Sequence, residues 1–98
     1  MAEYPVGATA TTFEIIDALA TLERAGVTQL ADRLDRSKGS VHNHLATLER
    51  LGYVVRDDGQ YRLGLQFLEL GTGVRATDAL YRVARQEIDR LANTSGET

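Results

Sequence analysis

Ninety-eight residues, 43% of them apolar, suffice for one small domain of three helices and a hairpin, but not for a second globular domain or a core with a buried catalytic cavity. The absence of cysteine excludes disulfides and thiolate-bound metals, and two histidines are too few for an ordinary zinc site, so no metal or cofactor is expected. The net charge of -3 is unevenly spread: residues 1–27 carry four acids and one base, whereas residues 36–48 carry Arg36, Lys38, His42 and His44 and no acid.

Residues 1–10 lack periodicity and contain the only proline, which predicts a flexible N-terminal arm. Thr11 followed three residues later by Glu14 has the form of a capping box. Ile15, Ile16, Leu19 and Leu22 then repeat at helical spacing until Gly26 stops the first helix. Thr28 is placed to cap a short second helix, Gln29 to Leu34, with Leu30, Ala31 and Leu34 on one face. Asp35-Arg36-Ser37 makes a tight turn, and Ser37 caps a third helix from Lys38 to Leu51 that ends at Gly52. Helix, three-residue turn, helix is the helix-turn-helix spacing.

Two β-prone runs follow, Tyr53 to Arg56 and Gln60 to Leu63, joined through Asp57-Asp58-Gly59, where Asp-Gly signals a hairpin. Helices then hairpin is the order of a winged helix-turn-helix. Beyond it, Leu65 to about Val74 is apolar enough for a helix weakened by Gly71 and Gly73. A break is expected near Ala76, and Thr77 can cap a last helix from Asp78 to Ala92 with Leu80, Ala84, Ile88 and Leu91 in a stripe. The predicted fold is therefore mainly α with a small β-hairpin: an arm over 1–10, a winged helix-turn-helix over 11–64, and one or two linker or dimerisation helices over 65–98. Nothing near Met1 reads as a signal peptide, and no apolar run approaches the roughly 20 residues a membrane span needs. A cytoplasmic location without a membrane partner is the expectation.

On the third helix Val41, Leu45, Leu48 and Leu51 fall on one side with His44 at their edge. Gly39, His42, Asn43, Ala46 and Arg50 fall opposite, flanked by Ser40 and Thr47. If that helix enters a major groove, Lys38, Ser40, His42, Asn43 and Thr47 reach base edges. Asn43 is the candidate for a base contact, because its amide can donate to N7 and accept from N6 of adenine at once; the plain alternative is a solvated amide. Gly39 admits close backbone approach, and the free amides after Ser37 suit a phosphate. Arg36 and Arg50 are candidate phosphate contacts; Thr28 at the second helix is a further DNA-binding candidate, as are Arg56 and Arg62 on the wing, near the tip that tracks the adjacent backbone or minor groove. Asp57 and Asp58 argue against deep insertion of the wing into a minor groove. His42 and His44, two apart on a helix, diverge too far to chelate one ion; His44 is expected to pack against the wing or the second helix. Tyr53, Tyr61, Phe67 and Phe13 read as core and hinge packing rather than base-stacking platforms. No spacing pairs a catalytic base with a nucleophile, so an enzyme is not expected.

Residues 11–75 resemble the N-terminal DNA-binding domain of the IclR family of transcriptional regulators. The resemblance is carried by LADRLDRSKGSVHNHLATLERLGYV and by Tyr61-Arg62-Leu63-Gly64 ahead of a linking helix. It implies a regulator, repressor or activator, that reads double-stranded DNA as a homodimer on a pseudo-palindrome with half-sites about one helical turn, roughly 34 Å, apart. It also implies a small-molecule effector where a C-terminal domain follows. The family often has Ser-Thr at Gly39-Ser40 and arginine at Asn43, so operator preference does not carry over. A protein-interaction or dimerisation module without specific DNA readout is the alternative, and the acidic balance favours it. With Lys38 the only lysine, the composition also resembles proteins of salt-accumulating haloarchaea.

Overall fold

The computed structural model describes residues 3–96. The chain divides into two compact units, Met1–Phe67 and Leu68–Thr98. The elements run α1 (Gly7–Leu22), α2 (Val27–Leu34), α3 (Lys38–Leu51), β1 (Val54–Asp57), β2 (Gln60–Leu63) and α4 (Gln66–Gly96).

Helix α1 starts four residues ahead of the sequence expectation. Residues 7–10 are helical rather than part of an arm, and residues 1 and 2 of that expected arm lie outside the described residues. Val6 precedes the helix with no side-chain cap, and Thr11 is buried in the second turn, its hydroxyl donating to the Gly7 carbonyl at 3.1 Å. A threonine that bonds back to the preceding turn is not capping, so the Thr11–Glu14 capping box does not form. Helix α2 likewise starts at Val27 with Gly26 as its uncapped N-cap, which puts Thr28 inside the first turn. It ends where Asp35 takes a left-handed conformation, φ 53°, and the Asp35 and Arg36 amides both donate to the Ala31 carbonyl. That reversal launches α3, whose limits match the sequence reading: Ser37 Oγ accepts from the Ser40 amide at 3.1 Å, and Gly52 closes the helix at φ 86°.

Ile15, Leu19, Leu30, Val41 and Leu45 are fully buried and join Ala18, Ala25, Ala31, Leu48, Val54 and Tyr61 in one core. Three helices and the hairpin each contribute, and that shared burial fixes α3 against the rest of the unit. Leu51 departs from the expected packing stripe and is 60% exposed; Phe13, expected in the core, is 57% exposed. Periodicity assigns a side chain to a face but not to a cover.

Strands β1 and β2 pair antiparallel, Val54 with Leu63 through Asp57 with Gln60. Asp58 and Gly59 form the two-residue turn with φ of 53° and 75°, the positive pair a type I′ hairpin needs. A Cβ on Gly59 would meet nothing within 4 Å, so alanine there is opposed only by the backbone. Gly59→Ala is expected to destabilise the domain by about 1–2 kcal/mol in chemical denaturation; an unchanged midpoint would mean the turn relaxes into another type. Ala25 adds a one-residue bridge to Tyr61, with reciprocal bonds of 3.1 and 2.8 Å, and so ties the α1–α2 connection to the wing.

Helix α4 is continuous over 31 residues, in place of the two helices expected either side of a break near Ala76. Thr77 is interior and caps nothing. In its first turn, Phe67 packs edge-on to Tyr53 with centroids 5.0 Å apart, and its amide donates to the Gly64 carbonyl. Among the described residues no helix is long and apolar enough to cross a membrane.

Candidate nucleic-acid interface

Burial of Val41, Leu45 and Leu48 turns the opposite side of α3 outward. Lys38, Gly39, His42, Asn43, Thr47 and Arg50 are all exposed there, while Ser40 and Ala46 are half-buried at the margins. Asn43 makes no side-chain hydrogen bond among the described residues, while its backbone carbonyl accepts from the Thr47 hydroxyl at 2.9 Å. Thr47 has thereby committed its proton as a donor and presents a methyl group and a lone pair. That suits a thymine methyl better than a phosphate. Ser37 accepts from Ser40 yet keeps its own hydroxyl proton, and the first two helical amides, Lys38 and Gly39, have no intrahelical acceptor. Together they form an anion-receptive helix start. A Cβ at Gly39 would meet nothing within 4 Å, so no intramolecular packing requires glycine there.

The arginines are more committed than the sequence indicates. Arg36 donates to Glu14 on α1 at 2.8 Å, so its guanidinium is already paired where a phosphate contact was expected. Arg24, outside the expected set, bonds Asp57 at 3.2 Å and balances one of the two wing carboxylates. Arg56 and Arg62 leave the hairpin on opposite faces: Arg56 shares the side of its partner Tyr61, and Arg62, half-buried, shares that of Val55. A phosphate backbone running along one face of the wing therefore meets one of them. Arg50 is exposed at the last turn of α3, and Thr28 is exposed on the first turn of α2.

His44 is half-buried, and its Nδ1 lies 2.8 Å from the Thr12 hydroxyl. Its partner is α1, not the wing or α2 as expected. The Thr12–His44 and Glu14–Arg36 contacts tie α1 to the middle of α3 and to the turn ahead of it, through side chains two residues apart on α1 and eight apart on the other side. Both pairs are far apart in sequence, and no local signal marks them. Among the described residues no group of three or more His, Asp or Glu side chains could hold a metal ion.

A helix-turn-helix with a paired wing, an anchored third helix and a polar outward face defines a winged-helix module of the nucleic-acid-binding type. The chain belongs to the IclR family: the IclR helix-turn-helix domain matches residues 8–58. It is 41% identical over 88 residues to the probable HTH-type transcriptional regulator ArcR of Halobacterium salinarum, covering 87% of this chain and 33% of that protein. Against the glycerol operon regulatory protein of Streptomyces coelicolor it is 39% identical over 77 residues, covering 76% and 30%. The crystal structure of an IclR transcriptional regulator from Alicyclobacillus acidocaldarius superposes with a TM-score of 0.67 at 29% identity, over 70% of this chain and 29% of that one. The chain thus spans about a third of the length of the curated relatives it matches.

Proposed function

We propose that this chain is the DNA-reading module of a cytoplasmic transcriptional regulator, binding double-stranded DNA as a homodimer on a pseudo-palindrome with α3 in the major groove. Half-sites stand about one helical turn, roughly 34 Å, apart. The outward face of α3 carries this reading: a hydrogen-bonding strip with an unpaired amide at Asn43, on a helix whose other side is fixed in the core. Asn43 reads an adenine, Thr47 meets a thymine methyl, and Lys38 and His42 supply donors along the flank. Ser37, the Lys38 and Gly39 amides, Arg50, Thr28 and one wing arginine hold the phosphates and set register. The relatives named as transcriptional regulators support the class, and a haloarchaeal relative agrees with the lysine-poor composition.

An operator selected from a random duplex pool, followed by fluorescence anisotropy, tests this directly. Selected DNA is expected to bind at least a hundredfold more tightly than random DNA of the same length; equal affinity at low salt would overturn the reading. The salt dependence is expected to be shallow. Each neutralised phosphate contributes a slope of about 0.9, and a strongly basic repressor reaches about 10. Here Arg36 and Arg24 already hold carboxylates and one wing arginine faces away, so the slope is expected well below that value. A slope near 10 would show that the ion pairs open and the whole set of cations is recruited.

A further inference from the structure

The wing carries two acids where a hairpin that meets phosphates gains from none, and only one of them has a backbone reason. Asp58 occupies the first positive-φ position of the turn, a place that favours aspartate, asparagine or glycine. Asp57 is a strand residue paired with Gln60, and strands are poor in aspartate. What Asp57 has instead is a cation brought from outside the hairpin: Arg24 Nη2 lies 3.2 Å from its Oδ2.

The backbone on both sides of Arg24 is pinned. Before it, Glu23 ends α1 at φ 69° and ψ −43°, a conformation that a residue with a side chain adopts only under constraint, while its amide donates to the Leu19 carbonyl at 2.8 Å. After it, Ala25 is fully buried and exchanges both backbone hydrogen bonds with Tyr61, and a Cβ on Gly26 would stand 3.7 Å from the Gly59 carbonyl. The segment therefore follows the hairpin to its turn, with Arg24 held between two fixed points. An exposed ion pair contributes little to stability, so this one matters through the charges it leaves free.

Strand alternation puts Asp57 on the same face of the hairpin as Val55, and hence as Arg62, the partner of Val55. Asp57 and Arg62 are diagonal neighbours on that face, a separation of about 7–8 Å that a long side chain spans. Left alone, the carboxylate would take Arg62. We propose that Arg24 is a positioning residue for DNA binding: by holding Asp57 it leaves Arg62 free, and Arg62 is the wing arginine that meets a phosphate. Among the described residues Arg62 makes no ion pair. The inference rests on the DNA reading above and adds to it a residue outside both the reading helix and the wing.

Fluorescence anisotropy of the whole chain with a random-sequence duplex tests it, because phosphate contacts need no selected site. Arg24→Ala is expected to weaken binding about tenfold at about 0.1 M salt and to lower the salt slope by about 0.9, the loss of one phosphate, with the melting temperature nearly unchanged. Arg24→Ala/Asp57→Asn is expected to recover the parent's affinity and slope, since no carboxylate remains to capture Arg62. In an Arg62→Gln background, Arg24→Ala is expected to weaken binding by at most about a further twofold. A fall that Asp57→Asn does not restore, or a full tenfold fall on top of Arg62→Gln, would show that Arg24 acts by direct contact or net charge and would overturn the proposal. So would an Arg24→Ala variant that binds like the parent. Equal affinity for selected and random DNA, by contrast, sinks the operator reading alone, and a parent chain that binds no duplex sinks both.

Discussion

Asn43→Ala is expected to lower affinity for the selected operator about 10- to 100-fold, the roughly 1–3 kcal/mol of one bidentate base contact, while affinity for random DNA stays nearly constant. The asymmetry follows from where the side chain sits. Asn43 is exposed on the face of α3 opposite Leu45 and has no side-chain partner among the described residues, so its removal disturbs no internal bond. Alanine is the better helix former by about 0.5 kcal/mol, so the melting temperature is expected to hold or rise slightly. Loss of affinity without loss of stability isolates the recognition term. In a panel of single-base operator variants, the discrimination at one A·T pair is expected to collapse in Asn43→Ala and nowhere else. An equal drop on random and selected DNA would assign Asn43 to phosphate positioning instead, and no drop on either would return it to solvent.

Gly39 bears on the same surface. Glycine within a helix is less favourable than alanine by about 0.5–1 kcal/mol, and here a Cβ would have open space around it. Among the described residues no contact compensates for that loss of stability. Close approach of a nucleic acid to the first turn of α3 gives it a physical reason, and the free amides of Lys38 and Gly39 lie at the same place.

The parts of this architecture that are punctuated locally are legible in the sequence. Ser37 and Gly52 bound α3 to the residue, and Asp58-Gly59 fixes the hairpin, because capping and left-handed turns depend on single side chains. The start of α1 was not legible. Gly7 to Ala10 have no stripe, and Thr11 in capping form is satisfied instead by a backbone carbonyl one turn earlier. At α4 the two glycines and Thr77 imitate a terminus, yet the helix runs through them unbroken. The interface was legible as a face but not as a set of free groups. Arg36–Glu14, Arg24–Asp57 and Thr12–His44 join residues 22, 33 and 32 positions apart, and only the folded core brings them together. They matter because they decide which cations remain for phosphates and which polar groups steady α3.

Leu45→Ala carries the largest expected effect on the fold: a loss of about 2–5 kcal/mol, the range for deleting a fully buried leucine whose site cannot collapse. Leu45 has no exposed surface and lies midway along the buried side of α3, between Val41 and Leu48, in the cluster that also holds Ile15, Leu19 and Leu30. Rigid helices on several sides hold the cavity open. For a domain this small each kcal/mol moves the melting temperature by roughly 4–8 °C, so a fall of about 8–40 °C is expected in a thermal scan. At temperatures where the variant remains folded, operator discrimination is expected to persist, because Leu45 and Asn43 project from opposite sides of the helix. Apparent affinity then falls only in proportion to the folded fraction. Discrimination lost while the variant is still folded would mean that α3 is held in register by Leu45 itself, rather than by the Thr12–His44 contact at its middle and the Glu14–Arg36 contact ahead of it. A destabilisation under about 1 kcal/mol would mean that the helix is not anchored through this face at all.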